Sequence, residues 1–198
     1  MEKKLAIVAS GGGMKCSYGA GAVVALGKFF EVRPDIFVAG SGGSGGLSFY
    51  ASEQYDSIQN IWTNLITGKR FINKRRLSKI ANVDYLIDDV FKVQDPLNAE
   101  AVMNSGIDCR IAVTNAETGK VEHFSPLECD VFELMRASMA MPLVYGKKIP
   151  LNGNLYHDSY ASSFLGLNLE KAISLGAKKI IAINNSRFGN MDRCIFKV

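Results

Sequence analysis

The pattern of apolar and polar positions alternates between short apolar runs and stretches with helical spacing. Leu5–Ala9 and residues 35–39 are runs of a length typical of buried strands. Each run ends in a glycine-rich turn, and the stretches that follow, residues 18–30 and 47–55, are compatible with helices. Strand, turn and helix in this order, occurring twice, predict a parallel sheet with helices on both faces.

The remaining elements follow from the same periodicities. Apolar residues at helical spacing predict a helix over residues 57–66, with Asp56 as its N-cap. The other predicted elements are helices at 82–92, 97–104, 131–137 and 167–175, a hairpin from 107–114 and 121–124, and strands at 155–156 and 179–183. Together these elements predict an α/β three-layer sandwich with a mostly parallel central sheet.

Composition agrees with an ordinary folded domain. The chain has 198 residues, of which 47% are hydrophobic and 21% charged, so it can bury a substantial core. Its four cysteines, Cys16, Cys109, Cys129 and Cys194, form no CxxC pair and have no spacing suited to zinc. These features predict one domain over residues 1–198 in a reducing, cytoplasmic setting, without a metal or other cofactor.

Charge and hydropathy narrow the classes of partner. The net charge of +4, from 23 basic and 19 acidic residues, weakly favours anionic partners. No basic helix or aromatic RNA-binding strand pair is present, so nucleic acid is not an expected partner. No apolar run has the length of a membrane span, and the first residues do not resemble a signal peptide.

The second glycine-rich turn carries the strongest chemical signal. Residues 42–46, Gly-Gly-Ser-Gly-Gly, match G-x-S-x-G between a strand and a helix, where Ser44 would be a nucleophile on a tight elbow. The helix that follows would direct its N-terminal amides at the oxyanion formed on attack. A plain glycine-serine loop is the alternative, although the apolar elements that flank it argue against a linker.

The same turn also fits a dinucleotide-binding pattern. Residues 40–45 match G-x-G-x-x-G. That motif normally occupies the first strand-helix unit and has an acidic residue about 20 positions later, at the end of a second strand. Here that region is the predicted helix at residues 57–66, which disfavours a nicotinamide cofactor.

The first glycine-rich turn is a candidate oxyanion hole. Gly11, Gly12 and Gly13 follow the first strand, and their backbone N–H groups could converge on one oxygen. Lys15 would add positive charge nearby. A tight turn without a ligand is the alternative, but two such turns at the ends of adjacent parallel strands would open on the same sheet edge.

The base that would activate the serine is less apparent. His123 lies in the predicted hairpin and His157 beside the short strand at 155–156, so neither is well placed for a Ser-His-Asp triad. Asp158 follows that strand and precedes small residues. A carboxylate can act as the base when desolvation raises its pKa, although an aspartate here could also be a surface turn residue.

The order of these motifs resembles the patatin-like phospholipase family along nearly the whole chain. The resemblance rests on residues 11–15, on residues 42–46, on residues 136–142, Arg-Ala-Ser-Met-Ala-Met-Pro, and on Asp158. It implies a patatin-like fold and a serine lipid acyl hydrolase whose substrates are phospholipids or other acyl-ester lipids. The glycine turn at 11–13 would bind the oxyanion, Ser44 would attack the ester, and Asp158 would be the only side-chain base.

The chain also departs from the family pattern. Cys16 stands where the family's first turn ends in glycine, and Ser159 and Tyr160 stand where glycine or alanine follows the catalytic aspartate. Many relatives continue beyond the strand at 179–183 with further helices, so the expected domain is shortened at its C-terminal end. A catalytically weakened fold that binds lipid or a protein partner is therefore the alternative function.

A basic segment predicts contact with a membrane surface. It contains six cationic residues interleaved with apolar ones: Lys69, Arg70, Lys74, Arg75, Arg76 and Lys79. Basic side chains bind anionic headgroups while apolar neighbours insert at the boundary. A solvated loop between helices is the alternative.

Overall fold

The computed structural model describes residues 4–76, 79–142, 144–158 and 165–185, and a seven-stranded sheet lies at their centre. The strands are β1 (Leu5–Ala9), β2 (Ile36–Gly40), β3 (Asp108–Asn115), β4 (Val121–Phe124), β5 (Ile149–Leu151), β6 (Asn154–Asp158) and β7 (Lys179–Ile183). The hydrogen-bonded order is β5-β6-β3-β2-β1-β7, and β4 also pairs with β3.

The sheet is parallel on one side and antiparallel on the other. β1 pairs in parallel with β2 and β7, and β2 in parallel with β3. β3 pairs antiparallel with β4 and β6, and β5 pairs antiparallel with β6. The predicted α/β class is confirmed. The antiparallel part arises because β3 and β4, and β5 and β6, are joined by tight turns that leave no room for a crossover helix.

The helices flank this sheet. They are α1 (Cys16–Val24), α2 (Gly43–Ala51), α3 (Tyr55–Asn60), α4 (Ala99–Met103), α5 (Val131–Met139) and α6 (Leu165–Ser174), and a wider π-helix spans Tyr85–Gln94. π-helical turns, Ala25–Phe29 and Ile61–Leu65, extend α1 and α3. The prediction that Asp56 is an N-cap is wrong: α3 begins at Tyr55, so Asp56 lies in its first turn, where a negative charge still favours the helix dipole.

The two faces of the sheet bury different clusters. On β1 and β2, Ala6, Val8, Ile36 and Val38 pack with Ala172 of α6. The alternate residues of the same strands, such as Ile7 and Phe37, belong to the larger core on the opposite face, where α2 packs on β2 and α5 on β3. Strands buried on both faces are expected to be continuously apolar, as β1 and β2 are.

The register around β3 determines what meets at the sheet edge. β4 occupies one edge of β3, where Ala112 is opposite His123. On the other edge, β2 ends at Gly40 opposite Ala112, and β6 arrives from the other direction and ends at Asp158 opposite Val113. The C-terminal ends of β2 and β6 therefore meet at consecutive positions along β3.

None of the helices within the described ranges is both long enough and apolar enough to cross a membrane.

Candidate active site

The chain turns from strand to helix at Ser41, directly after β2. The φ of Ser41 is 52°, in the left-handed region that is uncommon for a residue with a side chain. Backbone strain of this kind persists only where surrounding contacts hold it. The Ser41 N–H donates to Ser138 Oγ at 2.8 Å, and Ser138 Oγ donates to Ala112 O at 2.7 Å. α5 and β3 therefore fix this turn.

The Ser41 hydroxyl contacts the carboxyl group at the end of β6. Ser41 Oγ donates to Asp158 Oδ2 at 2.8 Å, across 117 positions of sequence. The backbone N–H of Asp158 donates to Ala140 O at 3.0 Å, which ties the aspartate to the end of α5. A hydroxyl and a carboxylate are thus held in hydrogen-bonding contact where β2 and β6 meet.

Burial changes the chemistry of this carboxyl group. Asp158 is 1% exposed, and its Oδ1 atom has no hydrogen-bond partner among the described residues. Burial raises the pKa of Asp158 to about 7, and the hydrogen bond from Ser41 only partly opposes this rise. A carboxylate with a pKa near neutrality is a much stronger base than an aspartate in water.

Ser44 has a different environment. It lies in the first turn of α2, is 0% exposed, and its Oγ donates to Ser41 O at 2.7 Å. The structure therefore does not join Ser44 to Asp158 by a hydrogen bond. The serine that makes the expected contact is Ser41, three residues earlier.

The ambiguity arises from the glycine-rich sequence itself. Ser41 is flanked by Gly40 and Gly42, but the position two residues before it is Ala39, so Ser41 does not match G-x-S-x-G. Ser44 does match. A signal for Ser41 is nevertheless present, because a nucleophile elbow lies between strand and helix, and Ser41 is the first serine after the predicted strand at residues 35–39.

An apolar cavity of about 170 Å³ lies beside Ser41 and Asp158, and both residues line it, whereas Ser44 does not. Other lining residues come from α2, from α3 and its π-helical extension, from the π-helix Tyr85–Gln94, and from α5 and the segment after it. They include Phe49, Ile58, Ile61, Leu86, Phe91, Met139, Met141 and Tyr145. The sequence pattern alone does not reveal this cavity. Such a cavity suits an apolar ligand.

The first glycine-rich turn packs against the elbow. A Cβ atom on Gly42 would lie 3.1 Å from Gly13 O, so only glycine fits there without displacement. Gly13 has a φ of 56° and lines the cavity, whereas Gly11 and Gly12 are not among the lining residues. The structure therefore brings one of the three predicted oxyanion glycines directly to the cavity.

Lys15 and Cys16, which follow this turn, lie at different places relative to the cavity. Lys15 is exposed and does not line the cavity, and its backbone N–H donates to Gly12 O at 3.1 Å. Cys16 is buried behind the elbow, near Gly42. Burial, and secondarily the charge of Asp158, raises the pKa of the Cys16 thiol to about 12. The cysteine therefore stays neutral and lies outside the cavity lining. The other departures, Ser159 and Tyr160, lie outside the described residues.

Neither histidine is hydrogen-bonded to a serine of the elbow. His123 Nε2 is 3.0 Å from Asn168 Oδ1, and His157 Nδ1 is 3.0 Å from the Asp158 carbonyl oxygen. Within the described parts of the chain, no three His, Cys, Asp or Glu side chains are arranged to hold a metal ion. Among the described lining residues, the side chains that can exchange a proton are therefore Ser41, Asp158 and Tyr145, whose phenol donates to Asp84.

The sequence matches a known protein family. The model of the patatin-like phospholipase family matches residues 7–169, which include both glycine-rich turns and Asp158. The chain belongs to the patatin-like phospholipase family. Hydrolysis of lipid esters is the general activity of patatin-like phospholipases.

The fold of this patatin-like chain is similar to a solved structure. The crystal structure of VipD from Legionella pneumophila aligns with a TM-score of 0.58 at 11% sequence identity. The alignment covers 83% of this chain and 46% of the VipD chain, so this chain spans about half of that protein. At this identity the likeness concerns the fold alone. No curated protein sequence matches the chain.

Proposed function

We propose that this patatin-like chain is a serine hydrolase that cleaves the carboxylic esters of phospholipids or related lipids, as a phospholipase A does. The observation that carries the proposal is the 2.8 Å hydrogen bond from Ser41 Oγ to Asp158 Oδ2 at the wall of an apolar cavity. In this proposal Ser41 replaces Ser44 as the nucleophile, and Asp158 keeps the role of base.

Acylation would proceed through the Ser41 hydroxyl. Asp158 accepts the hydroxyl proton while Ser41 Oγ forms a bond to the ester carbonyl carbon, giving a tetrahedral oxyanion. The oxyanion would be stabilised by backbone N–H groups of the turn at Gly11, Gly12 and Gly13 and by the N-terminal end of α2. Asp158 then gives its proton to the leaving alcohol, and the acyl group remains on Ser41.

Deacylation would reuse the same groups. Water replaces the alcohol, Asp158 accepts a proton from it, and the resulting hydroxide attacks the acyl carbonyl carbon. When the tetrahedral intermediate breaks down, Asp158 returns the proton to Ser41 Oγ and the fatty acid leaves. The Oδ1 atom of Asp158 has no hydrogen-bond partner among the described residues, so it can accept a hydrogen bond from this water.

Replacement of the two serines tests the assignment. Ser41→Ala should lower kcat/KM for a nitrophenyl ester by at least about 10³-fold, since it removes the nucleophile. Ser44→Ala is the matched control, because it deletes a buried hydroxyl three residues away. It removes the hydrogen bond to Ser41 O, so it should cost about 1 kcal/mol of unfolding free energy and retain most of the activity.

The opposite ranking, with Ser44→Ala inactive and Ser41→Ala active, would return the nucleophile to Ser44. Equal turnover by the wild type and both variants would remove both serines from the mechanism. Turnover no faster than spontaneous hydrolysis in all three would instead favour a binding protein.

We also propose that residues 69–79 bind an anionic phospholipid surface. Phe71 and Ile72 of this segment line the cavity, while Lys69, Arg70, Lys74, Arg75 and Lys79 are exposed. Within the described ranges, Lys79 is the only one of the six cations that forms an ion pair, with Asp84. Arg76 instead donates to the carbonyl oxygens of Lys69 and Arg70 at 3.2 Å, which supports the loop.

Charge removal at this segment tests the proposed surface. Replacing Lys69, Lys74 and Arg75 with Gln should weaken binding to phosphatidylserine-containing vesicles about hundredfold, at about 1 kcal/mol per cation. Arg76 is kept because it supports the loop. The matched control replaces Lys4, Lys178 and Lys179, three exposed lysines at the opposite edge of the parallel strands.

Sedimentation with the vesicles measures the binding of both triple variants. Equal binding by the two would contradict a specific docking surface. Loss of binding in the control alone would place the surface elsewhere.

A further inference from the structure

Asn185 lies just beyond β7 and contacts the first glycine-rich turn from behind. It is 7% exposed. Its Nδ2 donates to Ser10 O at 2.6 Å, its Oδ1 accepts the Gly19 N–H at 2.9 Å, and its backbone N–H donates to Ser10 Oγ at 2.9 Å. One side chain therefore connects the residue before the turn with the helix after it.

The turn is also shaped around this side chain. A Cβ atom on Gly12 would lie 3.1 Å from Asn185 Cβ, and a Cβ atom on Gly19 would lie 2.5 Å from Asn185 Oδ1. Glycine at these two positions leaves the space that the asparagine occupies. Since a buried amide is costly unless its donor and acceptor are both satisfied, the turn and Asn185 stabilise each other.

The contact continues from the turn to the elbow. A Cβ atom on Gly43 would lie 3.1 Å from Ser10 O, the same carbonyl that accepts from Asn185 Nδ2. Gly42 packs as closely against Gly13 O. A displacement of Ser10 or Gly12 would therefore change the position of the turn relative to Ser41.

We infer that Asn185 is a positioning residue, which holds the turn over residues 10–13 in the shape that receives the oxyanion. This inference rests on the proposed hydrolase function. An amide suits the role better than a carboxylate, because it supplies both the donor for Ser10 O and the acceptor for Gly19 N–H. It also adds no negative charge beside a developing anion.

The test compares Asn185→Ala and Asn185→Asp with Asn168→Ala. Asn168 is the matched control, because it is also a buried asparagine. Its Nδ2 donates to Ala9 O in β1 at 2.9 Å and its Oδ1 contacts His123 Nε2, but it does not contact the turn. Each variant is assayed for kcat and KM on a nitrophenyl ester, for thermal unfolding, and for inhibition by an alkyl trifluoromethyl ketone. Ser41 Oγ adds to the carbonyl carbon of the ketone while Asp158 takes the hydroxyl proton, and the adduct is a tetrahedral anion.

We expect Asn185→Ala to lower kcat about tenfold to hundredfold, because oxyanion donors must be accurately placed. KM should change by less than about threefold, since the acyl cavity is untouched. Inhibition by the ketone should weaken by about the same factor as kcat. Asn185→Asp should lose at least as much, and Asn168→Ala should retain kcat and ketone affinity while it lowers the unfolding temperature.

A loss of stability in Asn185→Ala with unchanged kcat and ketone affinity would overturn the inference, as would equal kcat losses in Asn185→Ala and Asn168→Ala. If Asn185→Ala does not fold, Asn185→Asp carries the test, because it keeps the acceptor for Gly19 N–H but loses the donor to Ser10 O. An unchanged kcat in that variant would also overturn the inference. Failure of the proposed function is distinguishable: the wild type would not turn over the ester, or Ser41→Ala would retain its rate.

Discussion

At the scale of single residues, the position of Asp158 determines when it can accept a proton. An exposed aspartate is ionised at neutral pH but is too weak a base to activate a hydroxyl. Desolvation beside the cavity brings the pKa of Asp158 to about 7, and the hydroxyl of Ser41 is already directed at it. The two properties together make a histidine unnecessary in the proposed mechanism.

This pKa predicts the pH dependence of the reaction. Asp158 must be ionised to accept the Ser41 proton, so kcat/KM should rise with pH and level off above about 7, where the pKa of Asp158 lies. The profile would be recorded from pH 5 to 9 with correction for spontaneous ester hydrolysis. A rate that is flat from pH 5 to 9 would contradict a base with this pKa.

The same shift has a consequence for stability that serves as an independent check. The native state keeps the Asp158 proton up to a pH of about 7, whereas the unfolded state releases it near 3.8, the ordinary pKa of an aspartate. The contribution of Asp158 to the free energy of unfolding is therefore fully present below about pH 4 and is lost as the pH rises to about 7. Asp158→Asn should accordingly raise the unfolding free energy by roughly 2 to 4 kcal/mol at pH 8 and by little at pH 4.

Sequence alone pointed to the carboxyl group of the Ser41–Asp158 contact but not to its hydroxyl group. The proposed role of Asp158 followed from the order of motifs and from its place after a short strand. Ser41 was hidden because Ala39 breaks the pattern that Ser44 completes. The left-handed φ of Ser41 depends on Ser138 in α5, a contact across 97 positions that local sequence cannot express.

At the scale of elements, Arg136 joins α5 to the π-helix Tyr85–Gln94. Its side chain is 9% exposed and forms ion pairs with Asp84 at 2.9 Å, Asp88 at 2.7 Å and Glu133 at 3.1 Å. Burial alone would raise the pKa of Asp84, but hydrogen bonds from Tyr145, Lys147 and Lys79 outweigh it and hold that pKa well below its usual range. The network fixes two helices that line the cavity.

Removal of the Arg136 guanidinium should lower the free energy of unfolding. Arg136→Met would remove the guanidinium that three carboxylates share. Because these carboxylates are 28–49% exposed, and Asp84 and Asp88 keep lysine partners, the unfolding free energy should fall by about 1 to 2 kcal/mol. Lys28→Met, which breaks an exposed pair with Asp56, is the control and should cost less than about 1 kcal/mol. Urea unfolding measures both, and equal small losses would indicate that the buried network does not hold the helices together.

Elements with strong local patterns were predicted closely. β1 and β7 have the predicted bounds, and the hairpin of β3 and β4 forms as expected. β5 was not predicted, because its three residues include Pro150 and have no apolar period of their own. It exists through pairing with β6, so its stability comes from tertiary contacts.

At the scale of the whole molecule, the site exists because two strands end against each other on one edge of β3. The repeated strand and helix units predicted that β1 and β2 would bring both glycine-rich turns to the same sheet edge, and β1 and β2 are indeed neighbours. The antiparallel course of β6, which brings Asp158 to the end of β2, could not be predicted from periodicity. The apolar cavity likewise depends on the packing of distant elements.

The most direct test of the account is the site of covalent labelling by a fluorophosphonate. The wild type would be labelled at pH 8 and digested, and the modified peptide would be fragmented finely enough to distinguish Ser41 from Ser44. We predict a single adduct on Ser41 that is abolished in Ser41→Ala and retained in Ser44→Ala. An adduct on Ser44, or no adduct on either serine of the intact folded protein, would contradict the account.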